Sequence, residues 1–178
     1  MGIPTLISTS TASDSSSIDI TSGIDSTYDE YMFVFTDINP ATDEVQLQFQ
    51  VNAAGGSGFN ETMTTTVFYA YHDEADSNAV LAYEASFDQA QGTAYQTVLG
   101  NQGNGADECG VGELHLFNPA STTYVKHFCS QTNTHHNNNW SIHNFTAGYI
   151  NTTSAIDEIS FKMNSGNFDG VIQMYGIS

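Results

Sequence analysis

The sequence contains no arginine and only two lysines, Lys126 and Lys162, against 20 Asp and Glu, for a formal charge of −18 over 178 residues. Nucleic-acid binding sets Lys and Arg against phosphates, so this balance excludes it as an expected function. Adhesion to anionic lipid through basic residues is excluded on the same ground. No apolar run approaches the roughly 20 residues of a membrane-spanning helix. Met1–Ile7 lacks a basic n-region and its apolar stretch ends at Ser8, so no signal peptide is expected. Leu6 stands where a myristoylation motif needs Ser or Thr. Cysteine is scarce as well. Cys109 and Cys129 form neither a CxxC pair nor a disulfide framework; they read as two buried free thiols, or as one bridge if two strands meet there. The four N-x-S/T matches, beginning at Asn60, Asn139, Asn144 and Asn151, are not read as glycosylated. At 39% hydrophobic and 12% aromatic residues, the chain is too apolar for a disordered acidic tail. Its length fits one domain with a single core.

What the chain does contain is strand signal. Val45–Val51 alternates without error, with Val45, Leu47, Phe49 and Val51 on one face and Gln46, Gln48 and Gln50 on the other. This predicts a strand with a core side and a wet side. Glu30–Ile38, Thr62–Tyr71, Glu113–Phe117, Tyr124–Ser130, Asn144–Ile150, Ile156–Met163 and Gly170–Ile177 have the aromatic and β-branched composition of further strands. Residues 1–27 are rich in Ser and Thr. They read as an N-terminal arm or as first strands Leu6–Thr11 and Ser16–Ile20, joined by a turn at Ala12–Asp14. The best helical window, Asp73–Gln91, lacks a sustained i, i+3, i+4 stripe and is expected to hold short turns at most. Eight to ten short strands predict an all-β fold, an antiparallel two-sheet sandwich of jelly-roll type, with residues 28–178 as its single domain.

Candidate chemistry is sparse. His135 and His136 begin the polar segment His135–Trp140, with His143 beyond it. No fixed ligand spacing accompanies them, so the segment reads as an exposed loop rather than a metal site. Asp73, Glu74 and Asp76 are weak Ca²⁺ candidates. Their loop fits no EF-hand template, and solvated charge is the simpler reading. No nucleophile elbow, Walker loop or dinucleotide fingerprint is present, and the chain is read as a non-enzyme without a required cofactor. Trp140, the single tryptophan, in a setting of Asn and His, is the best candidate for a recognition residue.

The closing segment Ser165–Ser178 (SGNFDGVIQMYGIS) resembles the last strand of virion structural proteins of tailed bacteriophages, which often end in G-x-I-x-(hydrophobic)-Y-G-(I/V). Leu6–Ser13, Ile24–Asp43, Glu113–Pro119, Ser121–His127 and Gly148–Ser154 are similar to segments of a widespread marine phage family of β-sandwich type, so the resemblance spans almost the whole chain. It implies a virion protein assembled in the host cytoplasm, and it brings no catalytic residues. Two readings follow. In the first, the protein is a capsid decoration or cement protein on the outer surface of the major capsid lattice, a homotrimer that reinforces the shell. Ile3, Pro4, Leu6 and Ile7 are then the capsid-docking candidates. In the second, it is a tail-fibre or spike-tip protein that binds a host glycan or receptor through Tyr95, His135, His136, Asn138 and Trp140.

Overall fold

The computed structural model describes residues 2–178. It is built from strands alone, with no helix among the described residues. In chain order the strands are β1 (Thr5–Ser15), β2 (Ile18–Ile20), β3 (Glu30–Pro40), β4 (Val45–Ala53), β5 (Met63–Asp73), β6 (Ala79–Tyr83) and β7 (Ala90–Gly92). They continue as β8 (Gln96–Gln102), β9 (Gly110–Phe117), β10 (Lys126–His136), β11 (Trp140–Ile150), β12 (Ile156–Met163) and β13 (Phe168–Ile177). Two antiparallel sheets form a sandwich of unequal halves. The large sheet runs β1-β13-β3-β9-β10-β11-β5-β6, with β7 also on β5; the small one runs β2-β12-β4-β8. This winding is compatible with a jelly roll, divided nine strands to four.

The core lies where the two sheets overlap. Val45, Leu47, Phe49 and Val51 all face it, as their alternation requires, and so do Ile159, Phe161 and Met163 from the paired strand β12. Phe49 and Phe161 sit at its centre: Phe128 meets Phe49 edge-on at 5.0 Å, and Phe33 and Phe35 each lie 5.5 Å from Phe161. Such offset and edge-on contacts suit the quadrupole of the rings.

Some expectations hold in part and others need correction. Of the two readings of the N-terminal segment, the structure has strands: Thr5–Ser15 is one continuous edge strand on β13, with register shifts at Leu6/Ser8 and Ala12/Ser15, and Ile18–Ile20 follows as β2. The turn expected at Ala12–Asp14 is therefore absent, and Ala12 is buried. The side of β4 expected to be wet is only partly so. Gln50 is fully buried and donates from Nε2 to the carbonyls of Glu61, Thr93 and Ala94, which close over it. The window after Asp73 holds β6 and β7, and β8 follows it. The cysteines are free and only half-buried. Burial raises both thiols above their ordinary pKa, with Asp37 adding to the effect at Cys109 and Glu30 and Glu113 at Cys129.

The two lysines are engaged. Lys126 is wholly buried, and its ammonium donates to the carbonyls of Thr152, at 3.2 Å, and Ser154. Burial lowers its pKa, with the Glu61 charge opposing. Lys162 lies over the Tyr95 ring, 4.2 Å from its centroid. No helix among the described residues is long and apolar enough to cross a membrane.

Candidate functional site

The small sheet ends at β8, which packs against β10 and β11, so the β5–β6 margin of the large sheet extends beyond it. Both faces of this overhang matter, and the β10–β11 hairpin is where they meet.

Half of the segment expected to be an exposed loop is strand. His136 pairs directly with Trp140, leaving only Asn137–Asn139 as the turn. Asn139 takes the left-handed conformation (φ 58°), which Asn tolerates better than most residues and which suits the last position of a three-residue hairpin loop. On the inner face, His136 stacks on Trp140 with centroids 4.7 Å apart, Trp140 on Tyr71 at 4.7 Å, and Tyr71 on Tyr69 at 6.1 Å. These rings stand parallel, like rungs across three strands. Their faces are turned toward one another and their edges toward the surroundings.

The recognition candidates thus separate. His135, His136, Asn138 and Trp140 share the hairpin, with Asn138 exposed, Trp140 half-buried and His136 buried. His136 supports the ladder rather than presenting itself to solvent. Burial lowers its pKa against the opposing charges of Glu44, Asp43 and Glu108, and its Nδ1 accepts from the Asn138 amide at 3.1 Å. His135 points to the opposite face and lines a depression of about 490 Å³ with His72, Val111, Asn133 and Ser141. Tyr95 lies elsewhere, on the small sheet, where its hydroxyl meets Ser160 Oγ at 3.2 Å.

The Ca²⁺ candidates also have assigned work. Asp73 ends β5 and holds the β5–β6 turn: its carboxylate accepts from the amides of Ser77 (2.8 Å) and Asn78 (3.1 Å), from the Asn78 carboxamide (2.9 Å) and from the Ser77 hydroxyl. Those bonds hold its pKa far below the usual carboxylate range. Asp76 is spent on His72 at 3.3 Å. Among the described residues, no three His, Cys, Asp or Glu side chains converge as a metal site would require.

On the inner side of the overhang, Tyr71, Trp140, Ile142 and Asn144 face Glu84, Phe87 and the β8 residues Gly100 and Asn101 across a cleft of about 80 Å³. Of these, Trp140 was a recognition candidate from the sequence, and Tyr71 was one of nine tyrosines that the sequence could not divide between core and interface. Gly100, which follows Val98–Leu99, is a further signal, since a glycine inside a strand marks a close approach.

The outer face of the large sheet has a different character. Strands β5, β6, β9, β10 and β11 carry only two of the chain's 20 acidic residues, Asp73, which is buried, and Glu113, which pairs with His115 at 3.4 Å. The one lysine in these strands is the buried Lys126. Phe68, Leu81, Tyr83, Val111 and Phe117 are exposed here, and Phe68, Phe145 and His143 form a second stack with spacings of 4.6 and 4.3 Å. The strand surface of this face is thus nearly free of charge and partly apolar, while the loop carboxylates Glu74, Asp76 and Asp107 border it at the hairpin end. The N-terminal docking candidates lie at the opposite edge of the same sheet, with β13 and β3 between them and this face. Ile3 and Leu6 are exposed, while Ile7 packs against the core from its place in β1.

No protein-family profile matches the chain, and no curated protein does. Among solved structures it is similar to a Bacteroides ovatus protein of unknown function, at 6% identity and a TM-score of 0.31, over 59% of this chain. The match spans 45% of that protein, under half of its length.

Proposed function

We propose that this protein is a bacteriophage virion structural protein that decorates the outer surface of the capsid, docking on the major capsid lattice as a trimer and reinforcing it without catalysis. The observation that carries the reading is the nearly uncharged, partly apolar outer strand surface of β5, β6 and β9–β11. Monomeric proteins rarely leave such a face contiguous and uncovered, and larger exposed patches mark interaction sites. Elsewhere the chain is acidic, so close approach through another face would bring carboxylates together. Docking through β5, β6 and β9–β11 avoids that cost. The exposed edge of β1, with Ile3, Pro4 and Leu6 beside it, offers backbone groups for strand addition. The family resemblance of the sequence agrees with this role.

The test is copy number on purified particles, with rebinding to capsids stripped of the protein. One trimer per local three-fold axis is expected, and Phe68→Asp with Leu81→Asp should abolish rebinding while Tm stays within a few degrees of the parent. A few copies per particle would place the protein on the tail. Absence from the particle, or rebinding unaltered by the two substitutions, overturns the docking reading.

A further inference from the structure

The large sheet ends in two open edges, β1 and β6. An open edge invites pairing with another chain, and soluble proteins manage it with bulges, charges, proline or a covering segment. On β1, register shifts at Leu6/Ser8 and Ala12/Ser15 interrupt the ladder, and the side chains are mostly Ser and Thr. β6 carries none of these devices. Its sequence, Ala79-Val80-Leu81-Ala82-Tyr83, has no charge and no proline, and its register on β5 runs unbroken. Val80, Leu81 and Tyr83 are exposed, Leu81 at 75%. The direction of its backbone groups follows from the ends of the ladder. The Glu84 amide donates to the Val67 carbonyl at 2.9 Å, and the Asp73 amide to the Asn78 carbonyl at 3.1 Å. Bonded positions alternate along an antiparallel pair. Asn78, Val80, Ala82 and Glu84 therefore turn their backbone groups to β5, while Ala79, Leu81 and Tyr83 turn theirs outward.

We infer that β6 is a self-association edge, pairing antiparallel with β6 of a second copy of this chain about a two-fold axis through Leu81. The outward groups are symmetric about that residue. The axis sets Leu81 against Leu81 and Ala79 against Tyr83 of the second copy, and each pair exchanges both N–H···O=C bonds. The side chains suit this pairing. Leu81 and Tyr83 lie on the face of Ala70 and Phe68, and Val80 and Ala82 on the face of Tyr71 and Tyr69, so both faces of the seam gain apolar neighbours. Charge selects the partner. A chain of −18 meets its own copy without opposing carboxylates only along a neutral stretch, and β6 is one. Carboxylates return at the ends of the seam, where the turn carrying Glu74 and Asp76 of one copy comes alongside the segment carrying Glu84 and Asp88 of the other. Low salt therefore opposes the pairing and high salt permits it. The strand has five residues and ends in turns, so pairing uses up this edge and closes at two copies. This two-fold contact is distinct from the trimer proposed on the capsid, and neither requires the other.

Sedimentation velocity of the isolated protein over a concentration series, at low and at high NaCl, measures the association. Amide hydrogen exchange followed by NMR locates it. A doubling of mass with concentration is expected, with Kd in the high micromolar range and tighter at high salt. Protection should rise with concentration at the amides of Ala79, Leu81 and Tyr83, while those of Val80 and Ala82, already bonded to β5, change little. Leu81→Pro removes an outward N–H and leaves the ladder to β5 intact, since an edge strand tolerates proline where its nitrogen faces away from the sheet. It should weaken self-association about tenfold or more, with Tm near that of the parent. Should that variant not fold, Ala79→Pro removes the outward N–H at the start of the strand and is expected to weaken pairing several-fold. The inference is overturned by a protein that does not associate at the highest concentration and salt, by outward amides that exchange freely where the mass has doubled, or by equal association in the proline variant that folds. No capsid enters these measurements, so their failure leaves the docking reading standing. Ala79→Pro keeps Phe68 and Leu81, so its rebinding to stripped capsids separates pairing from docking.

Discussion

The imidazole of His136 lies 4.7 Å from the indole of Trp140, nearly parallel to it, and accepts the Asn138 amide at Nδ1. That bond requires Nδ1 to be unprotonated. Burial lowers the His136 pKa below its ordinary value of 6.5, so the unfolded chain takes up the proton first. The stability tied to neutral His136 is complete above pH 6.5 and is lost as pH falls through the lower, folded value. Indole emission, quenched by imidazolium, should therefore titrate with a midpoint below 6.5. His136→Phe should abolish that step and flatten the corresponding part of the Tm-against-pH curve. A midpoint at or above 6.5 would show that the ring is not held in its neutral form.

Asp73 works in the opposite charge state. Its carboxylate is bonded by Ser77 and Asn78, which lowers its pKa. Its contribution is present above the unfolded value of about 3.9 and is lost as pH falls through the folded one. Asp73→Ala should lower Tm at pH 7 and raise hydrogen exchange in the β5–β6 hairpin, with little effect on the far edge at β1. Ca²⁺ should not raise the Tm of the parent protein, because the carboxylate oxygens are already occupied by this turn. A clear rise with Ca²⁺, absent in Asp73→Ala, would show that the loop rearranges around the ion.

Strands whose two faces differ in polarity were readable from sequence, and those satisfied from within were not. Phe49 and Phe161 announced their face by alternation. Strand β8 gave no such signal, because it buries Gln96, Thr97 and Gln102 along with Val98 and Leu99. Gln96 is stable there because Thr65 Oγ1 donates to its Oε1 at 2.8 Å while its Nε2 reaches the Phe87 and Thr97 carbonyls. Such compensation depends on distant residues that no local pattern reveals. The candidate site divides in the same way. Trp140 was visible as a lone tryptophan, whereas Tyr71 and Asn144 acquire their meaning only from the register of β5 on β11, which sets Tyr71 opposite Ile142 and Asn144 opposite Tyr69. The strand state of Ile7 was one of two readings, because a Ser/Thr-rich segment suits an edge strand and a free arm alike, and only the pairing with β13 decides between them.

Phe49→Ala tests the core. The ring is fully buried and meets Phe128 and Phe161, so truncation removes apolar burial and leaves a cavity between the sheets. A loss of about 3–5 kcal/mol is expected from urea unfolding, with the m-value unchanged. A loss below about 1 kcal/mol would mean that the two sheets can collapse onto the vacated space.

Charge sets the last prediction. The chain carries 20 acidic residues, and the described ion pairs all involve histidine, joining His72 to Asp76 and His115 to Glu30 and Glu113. Neither lysine offsets the surface charge freely, since Lys126 is enclosed and Lys162 is on Tyr95. Repulsion among the carboxylates therefore opposes the compact state more than the expanded one. Its range is set by salt, with a Debye length of about 30 Å at 0.01 M and about 10 Å at 0.1 M. Tm should rise steadily across that interval, and the gain should be similar with NaCl and KCl because it comes from screening rather than from a site. The effect should be largest near pH 7 and shrink as the pH approaches 4, where the carboxylates begin to protonate. A Tm indifferent to salt would mean that the carboxylates are spaced widely enough on the acidic faces to be independent.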